Sequence, residues 1–379
     1  MSRLRLLFLG RFSLRPPMTG LLIRNQHLLR ELGRHHDITF VSTAYDETIA
    51  QLKRIYGSSC EAVILVRYRD EPIRGVVELP DPVRRHAIAP LLEALYWLDT
   101  SSYDAAILDS IFMGAFRRHL HTRTVVSESN IESELLRQAG QEQQARDLAS
   151  FEAATWALCD QRWVVSEVDR SLMAQRTSGP ILTVPNGADP QLWQPGIRQS
   201  SQRLLFMGAL QYGPNVQGLL RFVARIWPLI RHRRPRLRLV VAGRDPAPEI
   251  QELSGRDGIQ VVANPRHMGR VARACSMAIV PLEHGSGSRI KIPEAMMMGL
   301  PIISTSRGCE GLDVHDGDQL LIRNDCGDFA SAVAELDADP LLWEGLRQRA
   351  RQWAVDHHSW STCFEGLDPA LRVLCSTVR

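Results

Sequence analysis

Short apolar runs alternate with amphipathic segments along the whole chain. The runs are four to seven residues long and rich in Leu, Ile and Val, as in RLLFLG (5–10) and LRLVVAG (237–243), which is the pattern of strands buried on both faces. Between them, apolar residues three and four positions apart predict helices. Helices are expected near 20–33, 86–98, 216–231, 289–298, 327–336 and 341–356. Strands separated by helices are typical of parallel sheets covered on both faces, so the pattern predicts an α/β fold.

The predicted strands form two series. The first comprises 5–10, 37–43, 62–67, 104–109, 124–128, 162–166 and 181–187, and the second 203–208, 237–243, 259–263, 277–282, 301–305 and 319–323. A turn-rich segment, PNGADPQLWQPG (185–196), joins them. A length of 379 residues suits two domains. We therefore expect an amino-terminal Rossmann-like domain over 1–185, a second over 196–358, and a helix within 360–379 that crosses back to the first.

Composition narrows the functional classes. Hydrophobic residues make up 44% of the chain and charged residues 23%, which is typical of a globular protein with a large core. The formal net charge of +3 is too small to favour nucleic-acid binding. Seven arginines lie within residues 1–40. This basic amino-terminal face is either solvated or contacts an anionic substrate or an acidic membrane surface.

The cysteines and the apolar runs indicate the cellular compartment in which the protein is expected. The seven cysteines are scattered and form no C-x-x-C pair, which favours a reducing cytosol over a disulfide framework or a zinc site. The run at 4–10 is too short for a signal-peptide core, and no apolar run approaches the roughly 18 residues of a membrane span. A cytoplasmic protein, at most peripheral to a membrane, is expected.

Several candidate functional residues lie close together in GSGSRIKIPE, residues 285–294. The chain uses arginine 43 times and lysine only at Lys53 and Lys291. Lys291 is therefore interpreted as a position that requires the compact ammonium group of lysine. The Gly-Ser-Gly turn follows a predicted strand and precedes a predicted helix, where backbone N–H groups can approach an anion. Arg289 and Lys291 place positive charge at that helix start, which is unfavourable unless an anion binds there. A diphosphate fits best.

The charged residues of this region have alternative interpretations. Glu294 either stabilises the first turn of its helix or accepts hydrogen bonds from ribose hydroxyls. The segment is neither a P-loop nor a dinucleotide fingerprint, because G-x-x-x-x-G-K and the third glycine of G-x-G-x-x-G are absent. The D-x-D triplets at 316–318 and 337–339 fall in a turn and at a helix end. We expect no metal site at either triplet.

The segment VPLEHGSGSRIKIPEAMMMGLPIISTSRGCEGL (280–312) resembles the nucleotide-sugar signature of GT-B glycosyltransferases, in the large retaining group often called family 4. Further landmarks follow in the usual order, including VPNGADPQLWQP, LLFMGALQYGPNVQGLLRF, LVVAGRDP and HHSW. The resemblance implies two Rossmann-like domains whose parallel sheets face a central cleft. It also implies sugar transfer from a nucleoside diphosphate, UDP or GDP, with retention and with neither metal nor cofactor.

The resemblance assigns roles in the second domain. Glu294 matches the second glutamate of the family's Glu-x7-Glu motif, and Ser286 stands at the first, as in a G-x-G-x-R-x-K-x-x-E subgroup. The loop GALQYGPNVQG (208–218) lacks the family's basic phosphate ligands, so Arg289 and Lys291 are expected to supply that charge. The implied donor-binding residues are Thr19, Gly20, Gly208, Gly243, Arg244, Gly285, Ser286, Gly287 and Ser288, with Arg289, Lys291, Glu294 and Glu128 as catalytic.

The first domain contributes the acceptor side of the resemblance. PPMTGLLIR (16–24) stands where related enzymes carry a Gly-rich turn, which brings in Thr19, Gly20 and Arg24. VVSESNIESELL (125–136) matches a loop that often reads Glu-His-Asn-x-Glu, with Ser129 at the histidine position. Glu128, Ser129 and Asn130 are therefore acceptor-side candidates, whereas Glu132 is a possible helix cap.

Three functions remain open at this point. The leading one is a metal-independent retaining glycosyltransferase that acts on a glycan, lipid-linked or small-molecule acceptor, for example in polysaccharide biosynthesis. A sugar-nucleotide epimerase of the same fold is the second. The third is a non-catalytic nucleotide-sugar-binding subunit, which the missing first glutamate of the motif keeps open.

Overall fold

A computed structural model describes residues 2–10, 20–73, 79–191, 202–284 and 289–376 of the 379-residue chain. The chain divides into two compact units. Unit 1 comprises Met1–Asn186 with Cys363–Arg379, and unit 2 comprises Gly187–Thr362. Among the described residues, no helix combines the length and the apolarity that a membrane crossing requires.

Unit 1 contains a seven-stranded sheet. Its strands are β1 Arg5–Gly10, β2 Asp37–Ala44, β3 Ala62–Arg67, β4 Ala105–Asp109, β5 Arg123–Ser127, β6 Gln161–Val164 and β7 Ile181–Thr183. They lie in the order β3-β2-β1-β4-β5-β6-β7, and all neighbours are parallel. The helices are α1 Gly20–His35, α2 Asp46–Tyr56, α3 Asp81–Arg84, α4 Ala89–Trp97, α5 Glu132–Gln138, α6 Glu142–Leu158 and α7 Glu167–Ala174. Two 3₁₀ segments lie at Thr100–Ser102 and Ile111–His119.

Unit 2 contains a six-stranded sheet. Its strands are β8 Arg203–Ala209, β9 Arg238–Arg244, β10 Ile259–Ala263, β11 Met277–Val280, β12 Ile302–Ser304 and β13 Leu321–Ile322. They lie in the order β10-β9-β8-β11-β12-β13, again all parallel. The helices are α8 Gly213–Arg221, α9 Trp227–Arg233, α10 Pro248–Gln251, α11 Met268–Arg273, α12 Lys291–Met297, α13 Cys326–Ala338 and α14 Pro340–His358. The predicted pair of parallel α/β sheets is confirmed.

The strand order gives each unit a topological switch point. β1 lies between β2 and β4, and β8 lies between β9 and β11, so the chain changes direction across the sheet at these strands. Ligands of open parallel sheets bind beyond the carboxyl ends of strands at such a switch point. In unit 2, those ends are Gly208–Ala209 of β8 and the segment after Val280 of β11.

The predicted helix 216–231 is interrupted. α8 ends at Arg221, a π-helical turn spans Phe222–Ile226, and α9 begins at Trp227 with Pro228 in its first turn. Proline has no N–H to donate to the preceding turn and its ring clashes there, so the helix widens before it. Phe222 and Trp227 nevertheless remain buried in the core.

The chain ends in two short helices. α15 spans Trp360–Phe364 and α16 spans Leu367–Ser376. The single predicted helix is thus divided, because residues 365–366, Glu-Gly, separate the two. α16 belongs to unit 1, where Leu367 and Leu371 are buried and Asp368 lies 3.1 Å from the imidazole of His36.

Candidate functional site

The floor of the candidate site in unit 2 is the backbone of two glycines, which have no side chains. Gly208 and Gly243 are paired residues near the carboxyl ends of β8 and β9. Gly208 has φ +155°, a conformation that side chains rarely adopt. A Cβ added at Gly243 would lie 1.8 Å from the Gly208 carbonyl oxygen. Neither position tolerates a side chain, so the backbone itself forms this edge of the sheet.

Gly243→Ala is expected to destabilise unit 2 by about 3 kcal/mol, since the new methyl overlaps a backbone oxygen that cannot swing away. Urea unfolding followed by tryptophan fluorescence measures this. Gly366→Ala is the control, because a Cβ there meets nothing within 4 Å and its φ is not positive; it should be neutral or slightly stabilising. Equal stabilities for the two variants would contradict the close approach.

Lys291 reaches over this floor. It is the first residue of α12, and its Nζ donates a 2.6 Å hydrogen bond to Oδ1 of Asn215, in the first turn of α8. The ammonium lies 5.6 Å from the ring centroid of Phe206 and 3.5 Å from the point where a Cβ of Gly208 would stand. Positive charge is therefore present beside the loop after β8, although that loop contains no basic residue.

Lys291 and Glu294 perturb each other in a partly exposed setting. The pKa of Lys291 is lowered to about 7, mainly by desolvation and also by the nearby Arg289 charge, while Glu294 opposes the shift. Desolvation raises the pKa of Glu294 to about 7, against the opposing effect of Lys291. Two groups on one short helix thus change charge near neutral pH, which is common where a site binds or transfers charge.

Arg289 lies two residues before α12 and is 6% exposed. Its guanidinium stands 3.7 Å from a carboxylate oxygen of Glu310, which also pairs with Arg307. Burial lowers the pKa of Arg289, and the Glu310 carboxylate opposes that shift. The charge of Arg289 is therefore balanced in part by a carboxylate, whereas the recorded hydrogen-bond acceptor of Lys291 is a neutral amide.

The structure gathers five of the ten predicted second-domain residues. Gly208 and Gly243 are paired at the carboxyl edge of the sheet, Lys291 lies beside Gly208, and Arg289 and Glu294 are near enough to shift the pKa of Lys291. Arg244 is the last residue of β9, and its carbonyl accepts from the N–H of Leu210 at 2.8 Å. Gly285, Ser286, Gly287 and Ser288 lie outside the described residues, as does Thr19 of the first unit.

Sequence reasoning missed two contacting residues, Asn215 and Glu310. Asn215 follows Pro214 at the start of α8, and Glu310 follows β12 in the loop SRGCEG (306–311). Each lies six residues after the end of a strand of the same sheet, and that position was the available signal.

In unit 1, Gly20 begins α1 after β1, and Arg24 follows one turn later. Arg24 is 1% exposed. Its guanidinium donates to the carbonyls of Val184 and Pro185 at 2.9 and 3.1 Å and to Oδ1 of Asn186 at 2.7 Å. Burial lowers its pKa to about 10. These contacts hold the segment after β7, and an acceptor role for Arg24 stays a prediction.

Glu128 follows β5 and is buried. Its carboxylate accepts from Trp156 Nε1 at 2.8 Å and from the Ile111 N–H at 3.0 Å. Desolvation raises its pKa to about 8 against the effect of these hydrogen bonds. Ser129 and Asn130 are partly exposed, and Asn130 Nδ2 donates to Glu132 at 3.3 Å. The geometry favours a structural role for Glu128 and leaves its neighbours as acceptor-side predictions.

One family model matches the central part of unit 2. Residues 201–339 match the family model "Glycosyl transferases group 1". This range contains Gly208, Asn215, Gly243, Lys291 and Glu294, that is, the crevice described above.

Two curated relatives match parts of the chain. An uncharacterized 44.6 kDa protein in the cps region of Klebsiella pneumoniae is 30% identical over 138 residues, which are 34% of this chain and 36% of the relative. The D-inositol 3-phosphate glycosyltransferase of Stackebrandtia nassauensis is 29% identical over 214 residues, which are 49% of this chain and 47% of the relative. The matches thus span less than half the length of either relative.

Solved structures match over the whole chain. Sucrose-phosphate synthase from Thermosynechococcus elongatus has a TM-score of 0.75 at 15% identity, covering 99% of this chain and 100% of its own. Anabaena HepE in complex with UDP and glucose has a TM-score of 0.71 at 13% identity, covering 98% and 100%. The pneumococcal O-GlcNAc transferase GtfA in complex with UDP and GlcNAc has a TM-score of 0.67 at 10% identity, and the match covers 99% of this chain and 100% of GtfA. At these identities the likeness shows the fold alone, and the expected GT-B fold is confirmed.

Proposed function

We propose that this chain, whose residues 201–339 match the family model "Glycosyl transferases group 1", moves a sugar from a nucleoside-diphosphate sugar to an acceptor with retention. The observation that carries the proposal is the position of the Lys291 ammonium over the Gly208–Gly243 backbone, with Arg289 and Glu294 beside it. A cationic crevice with a backbone floor fits a diphosphate. It has no evident use in a purely structural domain.

The proposed mechanism assigns a role to each of these groups. Lys291 and Arg289 neutralise the diphosphate as negative charge grows on its leaving oxygen. Preorganised charge of this kind is often the largest single contribution to catalysis. Glu294 accepts hydrogen bonds from the ribose hydroxyls. Departure of the diphosphate, rather than an enzymic base, is the step that the protein accelerates.

The proposed donor is a UDP- or GDP-sugar, and the proposed acceptor a glycan, a lipid-linked sugar or a small molecule. The complexes of HepE with UDP and glucose and of GtfA with UDP and GlcNAc support a uridine nucleotide by analogy. The D-inositol 3-phosphate glycosyltransferase shows that one relative acts on a small-molecule acceptor.

The carboxylates of both D-x-D triplets already have protein partners. Asp316 pairs with Arg323 at 2.8 Å, and Asp318 with Arg349 at 2.9 Å. Asp337 lies 3.6 Å from Arg234, and Asp339 caps α14 through the N–H groups of Leu341 and Leu342. These contacts support transfer without a metal ion bound at either triplet.

Incubation with a panel of radiolabelled UDP-, GDP- and dTDP-sugars, with and without EDTA, tests the proposal. We expect release or transfer of sugar from one donor, equal in rate with chelator present. Loss of turnover on EDTA treatment, restored by manganese or magnesium, would overturn metal independence. Interconversion of the donor sugar would support the epimerase. Binding without turnover of any donor would support the non-catalytic subunit.

Peripheral membrane contact through the amino-terminal arginines stays a prediction. Arg3 pairs with Asp37 and Arg34 with Glu31, both at 2.6 Å, while Arg24 is buried. Arg11 and Arg15 lie outside the described residues. Co-sedimentation with anionic and with neutral vesicles decides the matter, since only an electrostatic contact distinguishes the two.

A further inference from the structure

Asn215 and Lys291 form a contact across unit 2. Asn215 is 4% exposed and lies 76 residues before its partner in the chain. Its backbone N–H donates to the carbonyl of Tyr212 at 2.9 Å, which fixes it within the first turn of α8. Such a buried amide has few alternative positions, so the Lys291 ammonium is held at a defined point.

The orientation of the Asn215 amide is determined by its other partner. Nδ2 donates to the carbonyl oxygen of Ala209 at 2.9 Å, so Oδ1 must face the opposite way, toward Lys291. The absence of a side chain at Gly208 makes this possible, because a Cβ there would lie 2.8 Å from Nδ2. Gly208, Ala209 and Asn215 together form a cradle for the ammonium.

The neutrality of this acceptor matters. An amide oxygen orients an ammonium without cancelling its charge, whereas an isosteric carboxylate would form an ion pair and repel a diphosphate. The contrast with Arg289, which faces the carboxylate of Glu310, lies within the same site. When Lys291 is protonated, its hydrogen-bond partner therefore does not reduce the charge that it offers to a ligand.

We propose that Asn215 is a positioning residue of the donor site, which holds the Lys291 ammonium over the Gly208–Gly243 floor and leaves its charge available to the diphosphate. This inference rests on the proposed function for its ligand. The contact itself can be tested without any ligand, so failure of one can be distinguished from failure of the other.

The lysine content of the chain makes a direct test possible. Protein labelled with [¹³Cε]lysine gives two lysine signals, from Lys53 and Lys291, and the Lys53→Arg variant assigns them. Lys53 is exposed and serves as the internal reference. Titration of the Lys291 signal in the wild-type protein, Asn215→Asp and Asn215→Ser reports directly on the ammonium.

Asn215→Asp should raise the pKa of Lys291 by one unit or more through ion pairing and should weaken UDP or GDP binding more than 10-fold. Asn215→Ser, whose hydroxyl is a shorter neutral acceptor, should bind the nucleotide better than the aspartate variant does. Calorimetric titration with UDP and with GDP measures the affinities. Gln217→Glu introduces the same charge on the exposed face of α8 and should leave both readouts at their wild-type values.

A role limited to folding predicts a different result. The variants would then lose thermal stability while the Lys291 titration and the nucleotide affinity stayed unchanged, and that outcome overturns the proposal. If Asn215→Asp does not fold, the comparison of Asn215→Ser with the wild-type protein still decides, because loss of the contact must shift the Lys291 signal. A shifted Lys291 titration in a protein that binds neither nucleotide would preserve the contact and overturn the proposed function instead.

Discussion

Replacing Lys291 with alanine is expected to lower the turnover of a nucleoside-diphosphate sugar about 100-fold or more, the usual effect of removing one preorganised electrostatic contact. The ammonium is held by Asn215 beside the bare backbone of Gly208. It would therefore meet the leaving diphosphate without moving, and its interaction would grow as charge develops. Steady-state kinetics with the donor found in the panel, together with calorimetric titration of the nucleoside diphosphate, measure the loss.

The chain supplies a matched control for this variant. Lys53, the other lysine, is exposed on α2 in unit 1, and Lys53→Ala should leave turnover and affinity unchanged. Lys291→Arg should restore activity only in part, because a planar guanidinium cannot occupy the position of a compact ammonium equally well. If Lys291→Ala is folded and retains wild-type donor affinity and turnover, the donor site has been assigned to the wrong residues. The hypothesis of a non-catalytic nucleotide-sugar-binding subunit then becomes the better one.

The strands were predictable because their signal is local. Buried parallel strands are near-continuous apolar runs, and RLLFLG, AVILVR and IQVVA are strands at the positions that their sequence indicates. Helices were less predictable. α6 runs for 17 residues, but Glu152 and Thr155 are among those it buries, so its inner face is not apolar. The Glu152 carboxylate accepts from the N–H of Ser133, which accounts for its burial.

The candidate site likewise contains some residues that the sequence could identify and others that it could not. Arg289, Lys291 and Glu294 could be named from the sequence, since they lie within six residues and the scarcity of lysine marks one of them. Asn215 and Glu310 could not, because each acts through a contact with a distant part of the chain. Periodicity and spacing carry no information on which polar residue of one strand-end loop meets which residue of the next.

The pKa values of Lys291 and Glu294 have opposite consequences for donor binding. Near pH 7 each group is divided between its charged and neutral forms in the free protein. A diphosphate favours the ammonium, so binding takes up a proton at Lys291. Ribose hydroxyls favour the carboxylate, so binding releases a proton at Glu294.

Affinity for a nucleoside-diphosphate sugar is therefore expected to be greatest near pH 7 and to fall on both sides. Above pH 7, where Lys291 is mostly neutral in the free protein, each further pH unit should cost about tenfold, because one proton must be bound with the ligand. Below pH 7, protonation of Glu294 should weaken binding in the same manner. Calorimetric titrations from pH 5.5 to 9 measure this, and the sugar nucleotide is the appropriate probe, because a free terminal phosphate titrates near pH 6.

Two variants distinguish the fall in affinity above pH 7 from the fall below pH 7. Lys291→Ala should bind weakly at every pH and lose the fall above pH 7, while Glu294→Gln should keep that fall and lose the one below. At pH 7.5, wild-type titrations in buffers of different ionisation enthalpy should show net proton uptake, which Lys291→Ala abolishes. An affinity that is flat between pH 7 and 9 in the wild-type protein would contradict this prediction. The Lys291 ammonium would then either not contact the diphosphate or keep its proton over that range, and titration of the [¹³Cε]lysine signal of the free protein distinguishes the two.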